Sequence, residues 1–163
     1  MNANPAAASV SSALAPVLVD LVVPCPPSRA FDYFTRDIGR WWPLETHSVG
    51  RDRAQGVRFE PRVGGRLVET LADGRESTWG TVEAWQHAQR LRFSWHPGRD
   101  ASTAQWVEVT FAANPAGTRV TLKHGGWERL DARAAEMRDR YVGGWAFVLG
   151  ERFGGYCTTA TKT

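Results

Sequence analysis

Residues 104–124 read Ala104-Gln-Trp-Val-Glu-Val-Thr-Phe-Ala-Ala-Asn-Pro-Ala-Gly-Thr-Arg-Val-Thr-Leu-Lys-His124. In the first run Val107, Val109 and Phe111 fall on one face, and Trp106, Glu108 and Thr110 on the other. In the second run Val120 and Leu122 alternate with Thr121 and Lys123. Successive strand residues point to opposite sides, so each run is a strand with one buried face. Asn114-Pro-Ala-Gly117 between them has turn composition. Working backwards, the same texture predicts strands over 57–60, 66–71, 77–86 and 90–96. Pro61, Gly64-Gly65, Asp73-Gly74 and Pro97-Gly98 punctuate them. Val17-Leu-Val-Asp-Leu-Val-Val23 is a further strand, ended by Pro24-Cys-Pro-Pro-Ser28. Two short helices follow. The first has Ser28 as N-cap and Ala30, Phe31, Phe34 and Ile38 at helical spacing. The second covers Asp37 to Trp42 and is stopped by Pro43. Leu44 to Gly56 reads as an irregular loop.

Working forwards, one long helix closes the chain, with Asp131 as its expected cap. Met137, Tyr141, Trp145, Val148, Leu149, Phe153 and Tyr156 recur at three- and four-residue steps and form one apolar stripe. Gly143, Gly144, Gly150, Gly154 and Gly155 interrupt it, each at a cost of about 1 kcal/mol relative to alanine. They predict close approach to a sheet, room left for something else, or a helix that kinks or frays after Leu149. The order is strand, two short helices, about six antiparallel strands, long helix. That order predicts an α+β fold in which a curved antiparallel sheet of six to seven strands wraps round the last helix.

The 163 residues suit one domain. We expect a flexible tail over residues 1–15 and a single domain over 16–163. No apolar run approaches the roughly 20 residues of a membrane span. The N-terminal stretch is rich in Ala and Ser, and its first basic residue is Arg29, unlike a secretory leader. Cys25 and Cys157 are expected to be free thiols in a reducing cytoplasm. The net charge of +3 comes from scattered arginines interspersed with acids, which argues against nucleic acid as a partner. Eight tryptophans outnumber the seven phenylalanines. So many indoles imply either a very aromatic core or an aromatic cavity.

The ordered pieces resemble a known family. Phe31-x-x-Phe34 is followed by Ile38-Gly-Arg-Trp-Trp-Pro43. Next come Phe59-Glu-Pro-Arg-x-Gly-Gly-Arg66 with Glu69, Trp79-Gly-x-Val82-x-x-Trp85 and Arg90-Leu-x-Phe-x-Trp95. The later pieces are Val107-Glu-Val-x-Phe111, Gly117-Thr-Arg-Val-x-Leu122, His124-x-Gly-Trp127 and Gly144-Trp145. Together they are similar to the SRPBCC superfamily, whose fold is START-like (helix-grip), and to its branch around the activator of the heat-shock-protein-90 ATPase. The resemblance implies a seven-stranded sheet gripping the C-terminal helix over an apolar cavity, and it leaves the activity open.

Within that frame Trp41, Glu69, Trp79, Trp95, Trp106, Tyr141 and Trp145 are the candidate ligand-binding residues. Glu69 shares strand parity with Leu67 and Leu71, so it is expected to face inward, or to pair with Arg58 or Arg66. Desolvation would suit it to acid–base work, with Tyr141 as an orienting donor. Trp41-Trp42 is expected to form a lip over the cavity mouth. His96 and His124 end strands and are expected to hydrogen-bond at a rim. The four histidines and two cysteines lack metal-ligand spacing. No Gly-x-Ser-x-Gly elbow or Walker loop is present, so no metal or cofactor is expected. Three functions follow. The first is a carrier or sensor binding a hydrophobic or aromatic small molecule. The second is a cyclase-, dehydratase- or hydrolase-type enzyme using Glu69. The third is a chaperone-directed interaction module. The chain is expected to act as a monomer or homodimer.

Overall fold

The computed structural model describes residues 14–162. Seven strands form one antiparallel sheet: β1 (Val17–Val23), β2 (Ala54–Phe59), β3 (Arg66–Leu71), β4 (Glu76–Gln86), β5 (Arg90–Trp95), β6 (Gln105–Asn114) and β7 (Gly117–Gly125). Their order is β1-β7-β6-β5-β4-β3-β2. The β6–β7 hairpin pairs Val109 with Leu122 and Phe111 with Val120, so the alternating apolar residues share the inner face. The sheet curls round a C-terminal rod, as a helix-grip fold does.

Bulges set the curl. Thr78 pairs with Val68 and Gly80 with Leu67, leaving Trp79 as the extra residue in β4. A second irregularity lies between Val82 and Ala84. A bulge bends a strand and re-aims its side chains. Here one bulge turns Trp79 into the concave face, and the second restores parity so that Trp85 also faces inward. Gly80 is required at this bend, because a Cβ there would sit 1.7 Å from the Ser94 carbonyl oxygen.

Helices α1 (Pro27–Thr35) and α2 (Ile38–Trp41) follow β1. Pro26, not Ser28, occupies the cap of α1, and no side chain caps it; proline's fixed φ suits the first turn. Asp131 does not cap the closing helix. It lies in a 3-10 segment (Trp127–Arg133) with φ 51° and ψ −126°. The rod proper begins at α3 (Ala134–Trp145), continues through a π-helical segment (Ala146–Phe153) and ends in α4 (Gly154–Lys162). Trp145, Leu149, Phe153 and Cys157 are all buried. A four-residue step overshoots an α turn of about 3.6 residues. The wider π turn absorbs the overshoot and keeps this row on the sheet.

The glycines of the rod mostly face open space. A Cβ at Gly143, Gly144, Gly150 or Gly155 would meet nothing within 4 Å, whereas one at Gly154 would come 3.0 Å from Leu21. The close approach foreseen for this stretch is therefore confined to Gly154. Leu14 packs on the core, and the Ala15 carbonyl accepts from Arg138 Nε, so the anchored chain begins two residues before the expected boundary. The rest of the expected tail lies outside the described residues. Cys25 and Cys157 are free thiols and both are buried. Among the described residues no helix is long and apolar enough to cross a membrane.

Candidate functional site

Aromatic packing divides the concave face into two halves. At one end α1 plugs the sheet. Phe31 packs on Trp85 at 5.3 Å and on Phe111 at 5.2 Å. Phe34 packs on Trp41 and Phe153, both at 5.3 Å. The other end is open. There a cavity of about 380 Å³ lies between the sheet, the segment after α2 and the rod. That is within the size range of small-molecule sites.

Four indoles build its wall. Trp42 lies 5.2 Å from Trp79, 6.0 Å from Trp95 and 5.8 Å from Trp145. Trp95 lies 5.8 Å from Trp79 and 5.4 Å from Trp145. Tyr141, Met137, Gly144 and Val148 of the rod complete the lining on one side, and residues 46–49 with Arg51 on the other. Each wall indole spends its N–H inside the protein. Trp42 donates to the His47 carbonyl, Trp79 to Glu69 Oε1, Trp95 to the Tyr141 hydroxyl and Trp145 to His124 Nδ1. The cavity therefore meets ring faces and edges rather than indole donors.

Glu69 is fully buried and faces inward, but it does not line the cavity. Its carboxylate accepts from Val49 N at 2.9 Å and Gly50 N at 2.8 Å, besides Trp79. A buried charge must be satisfied by such bonds. Glu69 therefore latches the segment after α2 to β3, behind the indole wall. The arginines foreseen as its partners are engaged elsewhere: Arg58 with Glu76 and Arg66 with Glu60.

Two other candidates stand apart from the cavity. Trp41 is buried against Phe34 and Phe153 and donates to the Tyr33 carbonyl; of the expected lip, only Trp42 lines the cavity. Trp106 lies on the outer face, half-buried, with Arg92 stacked 4.6 Å from its ring. It covers the Gly125 backbone, where a Cβ would clash with its ring at 2.3 Å. The alternation in β6 had already placed Trp106 opposite the inward Val107 and Val109, and no bulge in β6 overturns that parity. Trp79, Trp95, Tyr141 and Trp145 are the candidates that the fold brings together.

His124 is not at a rim but fully buried. It stacks on Trp127 at 4.3 Å. Its Nδ1 accepts from Trp145, so its proton sits on Nε2 and points to Gln105 Oε1 at 3.2 Å. Burial, with Arg99 nearby, pushes its pKa down from 6.5 to about 3. It is a neutral acceptor that fixes one indole of the wall. Arg99 also bonds Gln105 Oε1 at 3.0 Å, which leaves Gln105 Nε2 buried without a partner among the described residues. Burial raises the Tyr141 phenol, with the Trp95 bond and Arg99 acting against it. That hydroxyl accepts from Trp95 and keeps its own proton to donate. His47 lines the mouth, and burial lowers its pKa. Sequence reasoning missed His47, Arg51 and Arg140 as parts of this region, read Met137 only as a member of the helix stripe, and placed His124 at a rim. Most lie on irregular chain or on the flank of a helix, where periodicity carries no signal. No cluster of three His, Cys, Asp or Glu suited to a metal occurs among the described residues.

An open aromatic cavity between a curled seven-stranded sheet and a C-terminal helix is the architecture that the sequence resemblance implied. The family model for activator of Hsp90 ATPase homolog 1-like proteins matches residues 24–156. The chain belongs to this family. Among AHSA1-like structures, that of the Aeromonas hydrophila protein is 22% identical, with a TM-score of 0.63 over 91% of this chain and 95% of that one. A Staphylococcus aureus protein of unknown function is 15% identical, with a TM-score of 0.65 over 91% of this chain and 96% of that one. The anthrahydroquino-γ-pyrone synthase Txn09 is 30% identical, with a TM-score of 0.59 over 86% of this chain and 96% of that one. No curated protein matches the chain.

Proposed function

We propose that this AHSA1-like protein binds a planar aromatic small molecule between its sheet and its C-terminal helix. The observation that carries the reading is the wall of Trp42, Trp79, Trp95 and Trp145 round an open space of about 380 Å³. Apolar walls with a few placed polar groups are what ligand sites present. Aromatic pairs add about 0.5–1.5 kcal/mol each beyond the area they bury.

The test is a titration of aromatic compounds of two to four fused rings, followed by tryptophan fluorescence. Saturable quenching is expected, and it should survive Trp106→Ala, which alters only the outer face. Fluorescence that no member of the panel changes would sink the reading.

A cyclase-type reaction in the same cavity is the second reading, supported by the 30% identity to a pyrone synthase. In that reading His47 and Tyr141, which line the cavity, are the groups able to move protons. Glu69 stays a latch, because its oxygens are held by Val49, Gly50 and Trp79. Absence of any turnover of aromatic polyketide-like substrates would exclude it, and turnover unaffected by both His47→Gln and Tyr141→Phe would remove those two groups from the proton transfers. The family name adds a chaperone as a partner, which chaperone ATPase rates measured with and without the protein would test.

A further inference from the structure

Every charged side chain that lines the cavity is a guanidinium: Arg51 and Arg140. Among the described residues no carboxylate lines it. Among the acids near it, exposed Glu45 acts on His47 from outside the lining, and Glu69 is turned away onto the Val49 and Gly50 amides. Glu136 lies one helical turn from Arg140 and pairs with it at 2.9 Å in an exposed ion pair. Such surface pairs are weak and leave much of the cation's field in place.

Arg51 stands out further. Among the described residues its guanidinium has neither a hydrogen bond nor an ion pair. Its backbone has φ 51°, a left-handed conformation that side-chain-bearing residues seldom adopt. The Ser48 hydroxyl holds it there by accepting from Arg51 N at 2.7 Å. Arg51 is thus a cation at the cavity lining with no partner for its guanidinium among the described residues.

The remaining polar lining is neutral and can donate. Tyr141 accepts from Trp95 through its oxygen, which leaves its own hydroxyl proton free to be donated. Burial holds its phenol above the ordinary range, so it remains a donor at neutral pH.

We infer that the ligand is an aromatic anion: a planar apolar body against the indoles, with a carboxylate or phenolate oxygen facing Arg51 and Arg140 and within the reach of Tyr141. The inference rests on the cavity reading above and adds the sign of the ligand's charge. Guanidinium pairs with a carboxylate through two parallel donors and gives a phenolate oxygen charge-assisted hydrogen bonds. A neutral ligand would leave Arg51 idle, and a cationic one would meet like charge at the entrance.

Three naphthalenes of matched shape decide it: 2-naphthoate, 2-naphthalenemethanol and 2-naphthylmethylammonium, titrated by calorimetry at low and at high salt. Naphthoate should bind about tenfold more tightly than the alcohol at low salt, and the ammonium most weakly. The naphthoate advantage should shrink at high salt. Arg51→Gln and Arg140→Gln should each weaken naphthoate and leave the alcohol unchanged. Glu136→Gln should strengthen naphthoate by freeing Arg140. All three sites are exposed, so unchanged melting curves will show that the variants fold. If the alcohol binds as tightly as naphthoate, the anion assignment is overturned while the cavity stands. If none of the three binds while a larger member of the fused-ring panel does, the anion assignment is overturned and the cavity stands; if no member of the panel binds, both fall.

Discussion

Glu69 shows how little a residue's direction reveals of its role. Parity with Leu67 turned it inward, and it is inward. Its partners are two backbone amides from a segment 19 and 20 residues earlier and one indole. No pattern in residues 44–50 announces those amides, because irregular chain has no period. The contact makes Glu69 the tie between the cavity's near wall and the sheet. Glu69→Gln keeps the shape but offers a single acceptor to three donors and turns an NH2 toward them. Bonds to a charged group are worth about 1.5–3 kcal/mol, so a loss of about 2 kcal/mol is expected in urea unfolding. The amides of Val49 and Gly50 should exchange with solvent faster, as hydrogen exchange would report. Unchanged exchange at those amides would remove the latch.

At the scale of elements, the closing helix combines a legible stripe with an illegible irregularity. Met137, Tyr141, Trp145, Leu149 and Phe153 predicted the buried face. The π segment inside it (Ala146–Phe153) has no sequence signature, since the same four-residue steps suit an α-helix. The glycines read as sheet contacts, as spared room or as a kink after Leu149, and the neighbours decided: a Cβ at Gly154 would press on Leu21, whereas one at Gly144, which lines the cavity, would meet nothing within 4 Å. Alanine at 144 should therefore stabilise the protein by about 0.5–1 kcal/mol through helix propensity, raising the melting midpoint while ligands still bind. Gly144→Leu should also fold but fill the cavity and abolish quenching. Destabilisation by Gly144→Ala would mean that the space is already occupied by protein.

Across the whole molecule, His124 ties the aromatic core to pH. Folding leaves it neutral, with its pKa depressed from 6.5 to about 3 by burial first and by Arg99 second. The unfolded chain takes up the proton below pH 6.5, whereas the folded chain resists until about pH 3. Its contribution is therefore fully present above pH 6.5 and falls as pH drops through that window, by about 1.4 kcal/mol per unit. Between pH 6.5 and pH 5 the unfolding free energy should drop by about 2 kcal/mol. His124→Gln should be less stable at neutral pH yet much flatter over that interval. An equally steep profile in the variant would place the sensitivity elsewhere. In the sequence His124 was only a strand end. Its burial comes from Trp127 folding back over it and from Trp145 arriving from the rod 21 residues later.

The local periodicities determined a great deal. Alternation in 104–124 and in the earlier runs, together with the 3.6-residue stripe of the last helix, is a local consequence of backbone geometry. It therefore named the strands, their inner faces and the α+β order without any partner in view. It even placed Trp106 outside, had its parity been followed against the pull of an aromatic side chain. Which indoles share a wall, which carboxylate is spent as a latch, and which arginines stand at an opening are relations between residues far apart in the chain. They depend on two bulges in β4, on a π turn and on a loop pinned by Glu69. Tertiary packing alone chooses those features, because each is a local departure from regularity made favourable by contacts that the local sequence does not contain.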